Sequence, residues 1–289
     1  MSIREIVTHP GGAHKDDFLG CSLLISKFGV PLYRREPTVA DLQDPTIAVV
    51  DVGGVYDATL MNFDHHQFPR DHEPLCALSL VLKYLEIYDD ARDFCDWVET
   101  TEWMDTRGPV DTAKWMNIER EAMSKLNSPI DITLLKRFAQ STAHQPNDPI
   151  YEIMRMIGDD LIFFVTSMRQ KMEALDACIE FWEIDGSGGK KAAFVSRRDG
   201  EFDDPSSGMA RYVIKNQMED EVIALVYPDR RGDGYGLARM SDSNHMEYTR
   251  IASEKDVHFA HNRGFIAKTS AMHKDRLMHL VKSAYQACG

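Results

Sequence analysis

The chain has 289 residues, of which 43% are hydrophobic and 27% are charged, values typical of a globular protein with a substantial core. The net charge of −13 is concentrated in residues 1–189, which hold 17 Lys and Arg against 32 Asp and Glu, whereas the remaining residues hold 16 against 14. Such acidity argues against a protein that coats nucleic acid nonspecifically, because that binding requires Lys and Arg to neutralise phosphates.

The first part of the chain predicts strands that alternate with a helix. "SIREIVTHP" has the pattern of a short buried strand that ends in a Pro-Gly-Gly turn. Apolar residues then recur at helical spacing from Phe18 to Phe28, and Gly29 ends the predicted helix. "VPLYRRE" and "PTIAVVDVGG" predict two more strands, the second with the unbroken apolar run of a strand covered on both faces. This alternation predicts a parallel sheet with crossover helices.

The pattern becomes helical from Leu75 and ends in a long predicted helix from Ile150 to about Trp182. Segment 183–191 is rich in Gly and Ser and is the best candidate for a linker. Beyond it the sequence predicts several strands and a final helix from about Ser270. We therefore expect an α/β protein with an N-terminal parallel-sheet domain and a helical spacer in residues 1–183. A smaller C-terminal α+β domain would occupy residues 190–289.

The sequence also indicates a compartment. No apolar run approaches the roughly 18 residues of a membrane span, and the N-terminus lacks the apolar stretch of a signal peptide. The five cysteines are widely spread without CxxC spacing, which argues against a disulfide framework or a zinc ribbon. We expect a cytoplasmic protein with free thiols and no membrane partner. The sequence does not indicate an oligomeric state.

Side chains that bind metals follow two of the predicted parallel strands. They are His9, His14 and Asp16 after the first strand, and Asp51, Asp64, His65 and His66 after the third. Because ligand sites of open α/β sheets form at the carboxyl ends of strands, we expect these groups to meet at one edge. Taken singly, His9 could be a surface residue, Asp16 a helix cap and Asp51 a turn former. Their joint placement favours a shared site.

Crowded carboxylates repel one another and partly protonate unless cations neutralise them. Mixed imidazole and carboxylate ligands favour manganese, iron, magnesium or zinc over calcium. Two such cations held close together can activate water and clamp the oxygens of a phosphate ester. The ligand set therefore predicts a site for divalent cations, which would be suited to a phosphate ester.

Three motifs, "THPGGAHKDD", "VVDVGGVYD" and "NFDHHQF", together resemble the MYG branch of the DHH phosphoesterases. "VHFAHNRGFIA" resembles the C-terminal segment of that branch, so the resemblance runs from near residue 5 to about 270 and is loose in the middle helices. It implies a DHH-like catalytic domain, a second domain that closes the active site, and two divalent cations. Manganese is the foremost candidate, with magnesium and other cations open.

The resemblance also implies a role for individual residues. Asp51 would bridge the two cations, and His66 would support a ligand or contact the substrate. Asp105 would add an acid after a helix. The implied metal ligands are His9, His14, Asp16, Asp51, His65 and Asp105. His14 stands where the wider superfamily has a carboxylate, which leaves the identity of the metal open.

Basic residues of the predicted second domain suit a phosphate group. Arginine presents a planar fork that matches phosphate oxygens, and Gly264 would let backbone N–H groups approach. His261 and Arg263 belong to the C-terminal motif, and His261 could protonate the leaving oxygen. We predict that Arg239, His261, Arg263 and Gly264 bind the substrate together with His66.

The sequence thus predicts a two-metal phosphodiesterase, foremost an exonuclease on short or single-stranded nucleic acid, with Asp51, His66 and His261 as catalytic residues. One alternative is a hydrolase of small nucleotides or pyrophosphate. Another is a metal-binding regulatory protein without turnover. The acidic first domain favours a short substrate over a long duplex, and the intact ligand set argues against the regulatory alternative.

Overall fold

The computed structural model describes residues 2–125, 128–197 and 206–287. The chain divides into two compact units, Met1–Ser167 and Met168–Gly289. Within the described ranges, no helix is both long and apolar enough to cross a membrane. Four cysteines are buried free thiols, namely Cys21, Cys76, Cys95 and Cys178, and Cys288 lies outside the described residues.

A six-stranded sheet forms the centre of the first unit. Its strands are β1 (Glu5–Thr8), β2 (Leu32–Arg34), β3 (Ile47–Val50), β4 (Tyr56–Asp57), β5 (Asn62–Phe63) and β6 (Ala143–His144). Their order is β4-β5-β3-β1-β2-β6, in which the four inner strands are parallel and the two edge strands antiparallel. Every residue of β3 is buried, as its apolar run predicts. The predicted parallel sheet is confirmed.

Helices make up most of the remaining first unit, and several of them contribute to its apolar core. They are α1 (Lys15–Phe28), α2 (Val39–Gln43), α3 (Ala77–Tyr84), α4 (Tyr88–Phe94), α5 (Trp97–Trp115), α6 (Arg120–Lys125), α7 (Pro129–Ala139) and α8 (Pro149–Asp176). A short 3₁₀ helix covers Ala58–Leu60. Apolar residues of α1 pack with residues of α3 and β3 in one core cluster. This packing holds α1 against the sheet, close to the end of β1.

Two glycines shape the helices around the sheet. At Gly158 in α8 a side chain would overlap the carbonyl group of Ser22 in α1, so the two helices approach backbone to backbone. At Gly108 the chain has φ 73°, and α5 is kinked there before Pro109. Asp105 therefore lies within α5, just before the kink, and not after a helix as predicted.

The second unit contains another six-stranded sheet. Its strands are β7 (Ile179–Glu183), β8 (Lys191–Val195), β9 (Val222–Pro228), β10 (Tyr235–Arg239), β11 (Val257–Ala260) and β12 (Ile266–Thr269). Their order is β11-β12-β10-β9-β8-β7, and only the β8–β9 pair among these described strands is parallel. The helices are α9 (Ser206–Lys215) and α10 (Lys274–Ala284), with a 3₁₀ helix at Tyr248–Ile251. The predicted α+β architecture is confirmed.

The structure corrects the predicted end of the long helix and the predicted linker. Helix α8 ends at Asp176, and Trp182 lies in β7, which pairs antiparallel with β8. The Gly- and Ser-rich segment is the turn between these two strands, closed by a hydrogen bond of 2.9 Å from the Ile184 N–H to the Lys190 carbonyl. The two units divide instead between Ser167 and Met168, inside α8.

Candidate metal centre

Three buried carboxylates lie at the carboxyl ends of β1 and β3. Asp16 and Asp17 belong to the first turn of α1, and Asp51 directly follows β3. All three are at most 3% exposed. Asp51 has φ 59°, a left-handed conformation that Asp tolerates better than most residues, and this turn ends the strand at the edge of the sheet.

Two imidazole rings face these carboxylates. His9 Nε2 lies 3.2 Å from Asp17 Oδ2 and 3.4 Å from Asp51 Oδ2. His65 Nε2 lies 3.1 Å from Asp51 Oδ1 and 2.9 Å from Asp105 Oδ2. Asp105 reaches the cluster from α5, so this site combines two strand ends and one helix.

These atoms are close together but do not satisfy one another. His9 Nε2, His65 Nε2 and Asp51 Oδ1 are buried without a partner in hydrogen-bond geometry, and so are both carboxylate oxygens of Asp16. A buried carboxylate without a partner is costly, whereas ligand atoms that face a common point need no hydrogen bonds to each other. The unsatisfied atoms and the mixture of oxygen and nitrogen donors fit a divalent cation.

The predicted ligands fall into overlapping groups whose ligand atoms all lie within 4.8 Å of one another. Asp51 is common to them. The groups are Asp16, Asp51, His65 and Asp105; His9, His14 and Asp51; and Asp51, Asp64, His65 and His66. The structure thus brings all six predicted ligands together, while their roles toward a metal stay predictions.

The protonation states follow from this crowding. The carboxylates of Asp17 and then Asp51 raise the pKa of His9 to about 10. Burial opposes charge on His65, yet contact with Asp105 and Asp51 raises the pKa of that ring to about 10 as well. Burial, together with the neighbouring carboxylates, raises the pKa of Asp16 well above its usual range.

Asp51 differs from Asp16 because imidazole groups surround it. Burial works to raise the pKa of Asp51, but contacts with His65 and His9 outweigh it and lower the value to about 2. The neighbours of these two carboxylates therefore shift their pKa values in opposite directions. The carboxylate that the ligand groups share is the one that stays ionised.

Asp64 organises the segment that follows. It accepts a hydrogen bond of 2.6 Å from the Gly54 N–H, and its Oδ1 lies 2.6 Å from His66 Nδ1. Gly54 has φ 69°, a left-handed conformation that glycine adopts without strain, and this turn directs its N–H to the carboxylate. Asp64 also fixes the ring of His66, whose side chain is 63% exposed and leaves its other nitrogen for a further partner.

Two residues of the site were missed by the sequence prediction. Asp17 accepts the His14 N–H at 2.8 Å and contacts His9, so it both caps α1 and belongs to the centre. Arg34 is 2% exposed and donates to the carbonyl groups of Gly11 and Gly12 at 3.1 and 2.9 Å. It thereby holds the loop between His9 and His14. The sequence did contain a signal for Arg34, because this arginine stands in a predicted strand, where a buried charge needs partners.

A cavity of about 470 Å³ opens beside the centre. His14, His65, His66 and Asp105 of the centre contribute to its lining. The remaining lining residues are Phe68, Pro69, Arg70, His72, Glu73, Leu75, Thr106, Arg107 and Asp111. The exposed side of the centre therefore leads into a recess of the first unit.

The predicted substrate-binding residues of the second unit lie around one turn and one strand end. His261 and Arg263 lie between β11 and β12, and the Arg263 N–H donates to His261 Nδ1 at 3.1 Å. Arg239 ends β10 and forms an ion pair with Asp242 at 3.2 Å. Their role toward a substrate stays a prediction.

For Gly264 the structure gives a different reason than the predicted one. Its N–H donates to the His261 carbonyl at 2.8 Å, so this group is used inside the turn. Its φ is 67°, and a side chain at this position would overlap the carboxylate of Glu247. The turn itself therefore requires a glycine here.

Comparison with known proteins finds a family that the first part of this chain is similar to. Residues 5–84 match the sequence profile MYG1_exonuc, described as "Uncharacterised protein family (UPF0160)". A MYG1 protein of Chlamydia pneumoniae is 36% identical over 88 residues, which cover 29% of this chain and 29% of that protein. The resemblance to the MYG family is confirmed for this segment. The MYG segment, residues 5–84, contains five of the six predicted ligands, and Asp105 lies beyond it.

Solved structures give only a distant likeness. A pGpG-specific phosphodiesterase of Vibrio cholerae is 13% identical, with a TM-score of 0.30, and covers 98% of this chain and 100% of its own. RecJ of Thermus thermophilus in complex with Mn²⁺ is 13% identical, with a TM-score of 0.29, and covers 97% of this chain and 52% of its own. Scores this low establish no shared activity. The likeness of the C-terminal motif stays a prediction, because the MYG match ends at residue 84.

Proposed function

We propose that this protein is a metal-dependent phosphoesterase that hydrolyses phosphodiester bonds, foremost as an exonuclease on short or single-stranded nucleic acid. The observation that carries this proposal is the sharing of Asp51 by overlapping groups of ligand atoms. A carboxylate with two oxygens can serve two cations, and paired cations are suited to phosphate esters. The MYG segment contains Asp51 and supports the same assignment.

The residues divide between two cation positions. Asp16, Asp51, His65 and Asp105 would hold one cation, and His9, His14 and Asp51 the other. Bound cations would supply charge for the phosphate oxygens and a more acidic water. Manganese is the foremost candidate by the resemblance to the MYG family, and a mixture of imidazole nitrogen and carboxylate oxygen is compatible with it. We place this activity in the cytoplasm, in keeping with the free thiols.

The chain's own groups orient the substrate. His66 is exposed beside the cavity, and Asp64 fixes its ring, so we assign to it a contact with the reacting phosphate group. Arg239 and Arg263 would bind a phosphate of the substrate, and His261 would hand a proton to the leaving oxygen. The buried side chain of Arg34 holds the loop that carries two of the ligands and so preserves their spacing.

Hydrolysis of small nucleotides is a second candidate, and the cavity favours it. Its volume of about 470 Å³ lies in the range of about 300–1,000 Å³ that is usual for small-molecule sites. A site of this size beside the centre accommodates a short substrate. Dinucleotides are therefore the substrates on which the two candidates overlap.

The proposal is tested with purified protein and Mn²⁺ on a panel of single-stranded oligonucleotides of graded length, dinucleotides and pyrophosphate. We expect turnover of the short oligonucleotides and dinucleotides, and its loss after chelation. Hydrolysis of pyrophosphate alone would favour the small-molecule candidate. Stoichiometric metal binding without turnover of any substrate would contradict the proposal and favour a regulatory role.

A further inference from the structure

The cavity beside the metal centre contains both acidic and basic residues, and its acids already have partners. Each of its three carboxylates lies within 4.0 Å of a cationic or imidazole nitrogen. The pairs are Glu73 with Lys83 at 3.5 Å, Asp111 with Lys114 at 2.9 Å and Asp105 with His65 at 2.9 Å. Lys114 and, after it, the guanidinium groups of Arg70 and Arg107 lower the pKa of Asp111, so this carboxylate faces more positive charge than it can balance.

Two arginines of the cavity lack such a carboxylate. Arg70 is exposed and has neither a hydrogen bond nor an ion pair to any part of the chain that the structure describes. Arg107 is half-buried, and its Nη2 donates to the backbone carbonyl of His72, a neutral group that orients the guanidinium without cancelling its charge. In a unit with a large excess of acidic residues, two guanidinium groups in one recess that form no ion pair with a described carboxylate indicate an anionic ligand.

The chain places these arginines next to the predicted ligands. Arg107 follows Asp105 by two residues in α5, and Arg70 follows His66 by four residues. All four residues line the same cavity. An anion bound by the arginines would therefore lie close to a phosphate group at the metal centre.

We propose that Arg70 and Arg107 form an anion subsite that binds a second phosphate group of the substrate, adjacent to the scissile phosphodiester. The assignment of the scissile bond rests on the proposed function. Guanidinium forks bind phosphate oxygens through charge-assisted hydrogen bonds, and Arg107 is already held in place for this task. The substrate class is a short nucleotide that carries a terminal phosphate, such as a dinucleotide with a phosphate at one end.

The wall of the cavity favours a nucleotide over pyrophosphate. The rings of Phe68 and His72 stack at a centroid distance of 4.4 Å, and both residues line the cavity. Aromatic rings beside basic groups are the usual combination for the bases and phosphates of short nucleic acids. Pyrophosphate would use the arginines but not the rings.

The test compares kcat/KM for one dinucleotide with and without a terminal phosphate, in Mn²⁺. We expect the wild-type protein to prefer the phosphorylated form, and Arg70→Ala to lower that preference about 10- to 100-fold, the effect of one charge-assisted hydrogen bond. Arg107→Lys should lower it less than Arg107→Ala, because lysine keeps the charge but loses the fork. Arg4→Ala is the matched control, since Arg4 is an exposed arginine of the same unit that pairs with Asp44, and it should keep the wild-type preference.

The possible failures are distinguishable. An unchanged preference in Arg70→Ala and in both Arg107 variants, with turnover intact, would overturn the subsite and leave the proposed function standing. If the wild-type protein cleaves neither dinucleotide nor any other substrate of the panel, the proposed function fails, and calorimetry then decides the subsite. Adenosine 3′,5′-bisphosphate should bind more tightly than adenosine 5′-monophosphate to the wild-type protein, and Arg70→Ala should remove this difference. Equal binding of the two probes by the wild-type protein would overturn the subsite.

Discussion

Buried Asp16 in the first unit has two carboxylate oxygens without hydrogen-bond partners, whereas buried Asp229 in the second unit accepts a hydrogen bond of 2.7 Å from Lys268. Arg276 of the second unit likewise pairs with Asp256 and Glu254. A buried charge without a partner destabilises a fold more than a buried charge in an ion pair does. Buried carboxylates without protein partners therefore indicate that a bound ligand supplies the missing charge. We take this contrast as support for a proposed ligand site at the first unit's cluster, and we interpret the pairs of Asp229 and Arg276 in the second unit as structural.

Removal of the shared carboxylate should have the largest effect. Asp51→Asn keeps the size of the side chain and tolerates the left-handed backbone, but the amide lacks the charge that two cations require. We expect turnover with Mn²⁺ to be abolished and the metal-free variant to melt below the wild-type temperature, because the charged carboxylate that contacts His9 and His65 is lost.

Asp44→Asn is a suitable control for Asp51→Asn, because Asp44 forms a surface pair with Arg4 at 3.1 Å. It should keep wild-type turnover. Steady-state kinetics in excess Mn²⁺ and a thermal melt of the same preparations provide the measurement. Wild-type activity in Asp51→Asn would remove this residue from the centre.

The two basic residues of the turn between β11 and β12 should matter for the substrate and not for the metal. Arg263→Ala is expected to lower kcat/KM by about 10- to 100-fold, the cost of a charge-assisted hydrogen bond to phosphate. Metal content should not change, because a guanidinium cannot ligate a cation. His261→Ala should act similarly, with a larger effect on kcat if the imidazole protonates the leaving oxygen.

Kinetics and elemental analysis of the same samples decide whether Arg263 and His261 bind the substrate or serve the metal centre. Loss of metal from either variant would show that these residues serve the metal centre. Unchanged kcat/KM in both variants would assign them to ordinary surface.

The increase in stability on Mn²⁺ binding directly tests the difference between unpaired Asp16 in the first unit and paired Asp229 in the second. At a Mn²⁺ concentration of about 100 times Kd, binding should stabilise the wild-type protein by about 2.7 kcal/mol, which raises Tm by about 5–10 °C. Asp16→Asn should lose most of this increase, because its carboxylate would no longer complete a cation site.

Lys268→Ala is the matched variant in the second unit. It leaves buried Asp229 without its cation, so Tm should fall by a few degrees while the increase caused by Mn²⁺ stays intact. Differential scanning calorimetry with and without Mn²⁺ measures both effects. If Mn²⁺ raises the Tm of Asp16→Asn as much as that of the wild-type protein, the Asp16 carboxylate does not bind a cation.

The smallest expected effect concerns a paired carboxylate in the first unit. The Arg35 guanidinium, 2.6 Å away, lowers the pKa of Asp41 to about 2 against the opposition of burial, with further help from Thr38. Because folding lowers this pKa, the stabilisation is present above about pH 4 and is lost as the pH falls through about 2. Asp41→Asn should lose less unfolding free energy than the wild-type protein between pH 5 and pH 2, by under about 1 kcal/mol. Urea unfolding at both pH values gives the comparison, and equal losses would show that the pair contributes nothing.

The sequence predicted those elements of the fold whose apolar residues recur with a clear strand or helix period. The runs that became β1, β3 and α1 have strand or helix patterns long enough to recognise, and their order dictated a parallel sheet. Strand β7 was missed because its apolar residues continue from α8 without a glycine or proline between them. Strands β4 and β5 are two residues long, which is too short for any alternation to appear.

Site residues that directly follow a strand were predictable from the sequence. Site residues whose role depends on the direction in which a buried side chain points were not. His9, Asp16 and Asp51 follow from the rule that parallel strands present their carboxyl ends together. Asp17 resembled a second acid in a helix turn, and nothing local shows that its carboxylate points inward to His9. The cavity of Arg70 and Arg107 joins a loop to α5 across a long stretch of chain, a contact that only the folded structure reveals.

The contact at Gly158 has a consequence for genetic screens. Because α8 touches the backbone of α1 at Ser22, even a methyl group at position 158 would displace the helix whose first turn holds Asp16 and Asp17. A screen for inactive variants should therefore recover substitutions at a residue with no functional group of its own. Second-site suppressors should be sought along α1, where a small shift would return the two acids to register.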